Sequence, residues 1–227
     1  MDERKRLILN IIIEEHIASG QPVASNTLVE KYNLEFSPAT VRNEMAELEA
    51  EGWITQPYTS AGRIPTEQAY NLFVNSLERK SLHKKEEALL EDNITDEVKA
   101  KQTAKKLAHM SNLAVIWAFH KNHVYYTGVS NLLQQPEFNH PNLVYDISSV
   151  IDRIDEIVSE VFETIDFTPR ILLGKQSPFG IFSGTIISRF QGKNNIGLIA
   201  LIGPLRMDYE KNLGRLDYLI KKLTETN

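Results

Sequence analysis

A chain of 227 residues that is 42% apolar and 24% charged carries enough apolar material for a packed core and is not composed like a disordered segment. It has no cysteine, which excludes a disulfide framework, thiolate chemistry and zinc fingers. The formal net charge of −5 excludes a protein that coats nucleic acid indiscriminately, so any DNA contact has to be local.

The charged start, MDERKR, leads into LILNIII, an apolar run that breaks at Glu14 and Glu15, well short of the ~20 residues that cross a bilayer. A soluble, cytoplasmic chain is expected. Ile8 and Ile12, and likewise Leu9, Ile13 and Ile17, recur at helical spacing. This predicts a helix from Asp2 to Ser19, with Glu14 and Glu15 facing out and Gly20 stopping it. Ser25 is placed to cap a short second helix that ends near Asn33 and buries Leu28, Val29 and Tyr32.

In Ser37-Pro38-Ala39-Thr40 a serine can accept orphan amide hydrogens and a proline takes the first helical position, so a third helix starts here and Gly52 ends it. Val41, Met45 and Leu48 line its inner side, which leaves Thr40, Arg42, Asn43 and Glu44 partly or wholly outside. Two β-prone runs, Trp53 to Gln56 and around Arg63-Ile64, flank PYTSAG as a small hairpin or wing. Pro65-Thr66 opens a fourth helix with Tyr70, Phe73 and Leu77 as its stripe. Three helices, a hairpin and a helix within residues 1–77 is the order of a winged helix-turn-helix.

Residues 78–96 are charge-rich and lack a full apolar face, which reads as a partly helical linker. Residues 97–227 mix strands with covering helices and form an α+β domain. A helix to His109 precedes the strands LAVIWAF and HVYYTG, and DISSVIDRIDEIVSEVFETI reads as one amphipathic helix. RILLG, GTIISRF and IGLIALIG follow as strands, before a last helix capped by Asp208 with Tyr209, Leu213, Leu216, Ile220 and Leu223 as its stripe.

The usual catalytic signatures, GxGxxG, GxxxxGK[ST], HExxH and GxSxG, are missing, so no catalytic residue and no cofactor is assigned. His120 and His123 make a polar hairpin tip; two histidines without a third ligand do not make a metal site. Arg206 and Asp208 sit at a strand-to-helix junction where Gly203-Pro204 supplies the turn and Asp208 the cap. The start of the third helix offers a better-defined mechanism. Its amides and dipole favour phosphate, while Thr40, Arg42 and Asn43 are of types that reach base edges in a major groove, Arg for guanine and Asn for adenine.

In TSAGRIPT, small residues allow close backbone approach, Thr59 and Ser60 can donate to phosphate, and Arg63 supplies local positive charge. Residues 1–78 nevertheless hold 6 Lys and Arg against 12 Asp and Glu. Contact with DNA then requires Glu47, Glu49 and Glu51 to point away from the duplex.

The pairing of SPATVRNEMAELE with QPYTSAGRIPT, together with GVSNLLQQPEF at 128–138 and IGPLRMDY at 202–209, resembles the heat-inducible transcription repressor HrcA family over most of the chain. The resemblance implies a winged helix followed by a GAF-like α+β domain, acting as a homodimeric repressor of chaperone genes on an inverted-repeat operator in double-stranded DNA. It implies the chaperonin GroEL as the partner that keeps the repressor active.

By position the recognition helix falls on Ser37 to Glu51 and the wing on Tyr58 to Ile64. DNA contacts are expected from Ser25 and Asn26, from Ser37, Ala39, Thr40, Arg42 and Asn43, and from Tyr58, Thr59, Ser60, Gly62 and Arg63. Relatives carry an inserted dimerisation segment between the strands that match LAVIWAF and HVYYTG; here only residues 120–123 bridge them. A hairpin is expected there, with dimerisation through another surface. Two other readings stay open on the residues: a small-molecule sensor using the GAF-like domain, and a module whose winged helix meets protein.

Overall fold

Isoleucine spacing puts α1 (Glu3–Ser19) at the centre of the first unit of the computed structural model, which describes residues 1–91, 94–138, 141–192 and 195–225. Ile8, Leu9, Ile11, Ile12 and Ile13 are all buried. Each such side chain contributes roughly 1.5–3 kcal/mol when fully removed from water. Asp2 accepts the Lys5 amide at the N-terminus, and Gly20 closes the helix in the left-handed region at φ 67°.

α2 (Ser25–Tyr32) and α3 (Pro38–Ala50) follow, and α3 begins as its sequence requires, with Ser37 Oγ accepting the Thr40 amide at 3.1 Å. Val41, Met45 and Leu48 are buried where α3 packs on α1 and α2. β1 (Ile54–Thr55) and β2 (Ile64–Pro65) pair antiparallel as a short ribbon, and α4 (Glu67–Asn75) starts from Thr66, which accepts the Ala69 amide. These residues, Met1–Leu77, make one compact unit and Glu78–Asn227 another.

Three expectations for the first unit fail. Ser25 is the first helical residue and not the cap; Ala24 holds the cap position with no side-chain bond. Glu15 and Glu44, expected to face out, are 8% and 5% exposed. Periodicity within one helix misplaces both because each is neutralised by another helix. Lys31 Nζ lies 2.5 Å from Glu15 Oε2 and Tyr32 Oη donates to the same oxygen at 2.9 Å, whereas Arg4 pairs with Glu44.

The second unit begins with α5 (Lys84–Leu89) and α6 (Glu97–Ser111), the latter capped by Asp96. Then come β3 (Ala114–His120), β4 (His123–Thr127), α7 (Val129–Leu133), α8 (Pro141–Asp152) and α9 (Ile154–Val161). β5 (Arg170–Leu173), β6 (Ser183–Gln191), β7 (Ile196–Pro204) and α10 (Tyr209–Glu225) complete it.

The five long strands form one antiparallel sheet in the order β4-β3-β7-β6-β5, so this unit is α+β. Alternate residues serve its two faces. Ala114, Ile116, Ala118, Leu198, Ala200 and Ile202 pack under α7, α8 and α9 with Phe138, Ile147, Val158 and Phe162. On the opposite side α6 packs on β3 and α10 on β6, and Trp117 meets Phe190 edge to face at 5.7 Å.

The long amphipathic helix expected from Asp146 to Ile165 is broken. Arg153, at φ −112° and ψ 15°, donates back to Val150 at 3.3 Å in place of the i−4 carbonyl, and α9 restarts with its own first turn. The apolar spacing runs through the break undisturbed, which is why it gave no warning. The stretch expected as a linker is also tied down, since Arg79 donates to Asp217 at 2.7 Å and to the Pro169 carbonyl at 2.8 Å. Arg215, 4% exposed, pairs with Glu86, and Leu90 is fully buried.

Lys31 first, and Tyr32 with it, hold the Glu15 carboxyl below the ordinary glutamate value of 4.5 against the cost of burial. A depressed carboxylate contributes stability that is present above 4.5 and is lost as pH falls through the lowered value. Glu15→Gln should therefore be less stable than the parent at neutral pH by about 1–3 kcal/mol. That deficit should shrink as the pH falls below 4.5, read from urea unfolding across an acid series.

Candidate nucleic-acid interface

The first turns of α3 present one open face. Ser37, Ala39, Arg42, Asn43 and Ala46 are exposed at three- and four-residue steps, opposite the buried Val41, Met45 and Leu48. Thr40 is half-buried, with its Oγ1 3.0 Å from Ser37 Oγ. Arg42 has no ion-pair partner among the described residues. The other cations near this face are spent: Arg4 on Glu44, Lys5 on Glu47 and Glu51, and Arg63 on Glu49. Five carboxylates of this unit, Glu15, Glu44, Glu47, Glu49 and Glu51, are held in internal pairs, while Arg42 is a cation left without one on this face.

Between β1 and β2 the loop rises to an exposed tip formed by Tyr58 (65% exposed), Thr59 and Ser60. Ser60 takes φ 68°, the Ala61 amide donates to Tyr58 O at 3.0 Å, and Gln56 Nε2 holds Ala61 O at 3.0 Å. Gly62 and Arg63 also have jobs within the protein. A Cβ on Gly62 would lie 2.4 Å from the Val23 carbonyl carbon, so its smallness serves contact within the protein. Arg63 exchanges backbone hydrogen bonds with Val23 at 2.9 and 2.8 Å, and its guanidinium is bound to Glu49, at 2.9 Å from Nε and 2.8 Å from the second nitrogen.

α3, the lead-in to α2 and this hairpin enclose a cleft of about 340 Å³ lined by Val23, Ala24, Ser25, Arg42, Met45, Gln56 and residues 60–63. It brings together five residues chosen from sequence, namely Ser25, Arg42, Ser60, Gly62 and Arg63. Asn26, Ser37, Ala39, Thr40 and Asn43 lie outside its lining, and Tyr58 and Thr59 sit at the loop tip. Gln56 and Glu49 were missed. Neither carries a periodic signal, and from sequence Glu49 reads as a charge turned away from the interface.

The motifs of the second unit satisfy one another. Arg206 binds Glu137 through two nitrogens and donates to Gln135 Oε1 at 2.7 Å, joining GPLRMDY to GVSNLLQQPEF. Gly128, at φ 77°, lies so close to Leu113 that a Cβ would meet its carbonyl oxygen at 2.4 Å, and Asn131 Nδ2 donates to the carbonyls of Ala108 and Leu113, both at 3.0 Å. His120 and His123 pair across the β3–β4 turn with rings 5.5 Å apart. Among the described residues no group of three His, Asp or Glu side chains is placed to hold a metal. The apolar cavity between the sheet and α7–α9 measures about 30 Å³. No helix among the described residues is long and apolar enough to cross a membrane.

A family model described as the HrcA protein C terminal domain matches residues 39–213. The chain belongs to the HrcA family. The heat-inducible transcription repressor HrcA of Carboxydothermus hydrogenoformans is 24% identical over 334 aligned positions, covering 99% of this chain and 98% of that protein. The repressor of the same name from Clostridium perfringens strain SM101 is 44% identical over 123 residues, 51% of this chain and 36% of its own length. That of Acidothermus cellulolyticus is 54% identical over 77 residues, 34% of this chain and 23% of its own length. A crystal structure described as a hypothetical protein at 2.2 Å resolution superposes with a TM-score of 0.77 at 17% identity, covering 100% of this chain and 98% of that one, which shows a shared fold.

The close approach at Gly62 sets a test of the cleft. Gly62→Ala should push the hairpin off Val23 and destabilise the first unit by about 1–3 kcal/mol, the usual cost of overpacking. Amide exchange at Arg63 and Val23 should rise with it, whereas Ser60→Ala, at the open tip, should leave both unchanged.

Proposed function

We propose that this chain is a DNA-binding transcription repressor of heat-shock genes, with residues 1–77 acting as a winged helix-turn-helix. The observation that carries the reading is the uncompensated Arg42 on the open face of α3, beside a cleft shared with the hairpin. A helix presenting Ala39, Arg42 and Asn43 suits a major groove, where arginine pairs with guanine and asparagine with adenine, each good pair giving about 1–3 kcal/mol of discrimination. Ser37, Thr40, Ser25 and Asn26 fit phosphate contacts beside it, and Tyr58, Thr59 and Ser60 fit contacts along the flanking backbone. Gly62 and Arg63 support the loop that carries those contacts.

The curated relatives are named heat-inducible transcription repressors, which supports regulation and not enzymatic turnover. The second unit, in this reading, is a GAF-like regulatory and dimerisation domain. A two-fold dimer sets its α3 helices about one helical turn of DNA apart, or a multiple of that, on an inverted repeat. GroEL enters as the partner that the family resemblance implies, and adding it to the purified chain should raise the fraction competent to bind DNA.

The decisive experiment selects duplexes from a randomised library with the parent chain and repeats the titration with Arg42→Ala. The variant should lose preference among sequences by about 1–3 kcal/mol at one position per half-site while keeping its melting temperature. An unselective parent would point to a protein-binding module instead. Light scattering of the parent should give a dimer, and a monodisperse monomer at high concentration would remove the two-fold model.

A further inference from the structure

Three carboxylates, Glu47 and Glu49 late in α3 and Glu51 at its C-cap, are not equivalent. Glu47 and Glu51 both go to Lys5 on α1. Glu51 also accepts from Trp53 Nε1 at 3.2 Å, just before β1, but of the three only Glu49 holds both sides of the hairpin. Oε2 accepts from two Arg63 nitrogens at 2.9 and 2.8 Å, and Oε1 accepts the Gln56 amide at 3.1 Å. Gln56 directly follows β1 and Arg63 directly precedes β2, so one carboxylate closes the base of the loop against α3. The guanidinium is 22% exposed and the carboxylate 33% exposed, which places the pair at a half-buried seam where a charge-assisted fork is stronger than a surface pair.

We infer that Glu49 is a positioning residue for DNA recognition: its carboxylate sets the hairpin at a fixed distance and angle from α3, and so strengthens DNA binding although it brings negative charge towards phosphate. The inference rests on the reading of residues 1–77 as the DNA-binding unit. It assigns Arg63 to the inside of the protein, holding the loop, instead of to a phosphate. It also explains why a hairpin with only four residues in its two strands keeps a defined geometry: the Glu49 fork and the Val23 bridge supply what the short ladder lacks.

The two roles open to the Glu49 and Arg63 pair predict opposite signs. If charge alone mattered, Glu49→Gln would raise affinity for any duplex, because it removes a negative charge and frees a cation. Under the positioning role Glu49→Gln lowers affinity for the selected inverted-repeat duplex by about tenfold, and lessens the slope of log affinity against log salt by about 1 as loop-tip phosphate contacts are lost. Arg63→Lys, which keeps the charge but not the planar fork, should show the same fall.

Glu47→Gln, on the same helix but away from the hairpin, should leave affinity unchanged or slightly higher. Melting curves of all variants are taken in parallel, so that Arg63→Lys still decides the matter if Glu49→Gln does not fold. A rise in affinity, or no change, for Glu49→Gln and Arg63→Lys while Arg42→Ala still loses sequence choice would overturn the positioning role alone. If Arg42→Ala changes nothing either, the DNA reading itself fails and the inference falls with it.

Discussion

Two backbone hydrogen bonds between Val23 and Arg63 fasten the hairpin of the first unit to the lead-in of α2, and the other features of the candidate interface depend on that fastening. Only a residue without a side chain fits at position 62, because anything larger meets the Val23 backbone. With the two segments in contact, Ser25 and Arg42 come to face Ser60 across one cleft, although they are far apart in sequence. The cleft is a product of tertiary contact. None of its edges is formed by a single element.

The second unit solves a different problem, that of covering a sheet on both faces. Its strands β3, β6 and β7 are buried almost throughout, so helices are needed above and below. One layer is α7, α8 and α9, and the bend at Arg153 divides its main apolar run into two segments. The other layer is α6 and α10, with the segment from Arg79 to Leu90 tied against α10 by Asp217, Glu86 and the buried Arg215. A buried ion pair of this kind adds little net stability over an apolar contact, but losing one partner strands the other charge. Its effect is therefore to fix where the segment lies.

Sequence reasoning located most of the elements, though not α7 or the break between α8 and α9, because apolar period and cap chemistry are local. Ser37-Pro38 started α3, Gly20 ended α1, and Asp208 capped α10, as their side chains demand. It misplaced Glu15 and Glu44 because the cations that bury them, Lys31 and Arg4, sit on other helices. It read Arg63 as charge on offer for the same reason, since nothing within TSAGRIPT reveals a carboxylate 14 residues earlier that meets it. The exposed face of α3 was legible from its inner stripe alone. What a charged side chain does with its charge was not, because pairing is decided by the fold.

The β3–β4 turn has a consequence for how such chains vary in length. His120 pairs with His123, leaving Lys121 and Asn122 exposed at the tip, and the ladder from Val115 to Ala118 is complete without them. Lengthening such a tip disturbs no buried contact, and each doubling of a flexible loop costs only about 0.6 kcal/mol in closure entropy. The same two residues are therefore the natural port for an engineer, where a fluorescent reporter or an affinity module can be spliced in while the sheet beneath keeps its register.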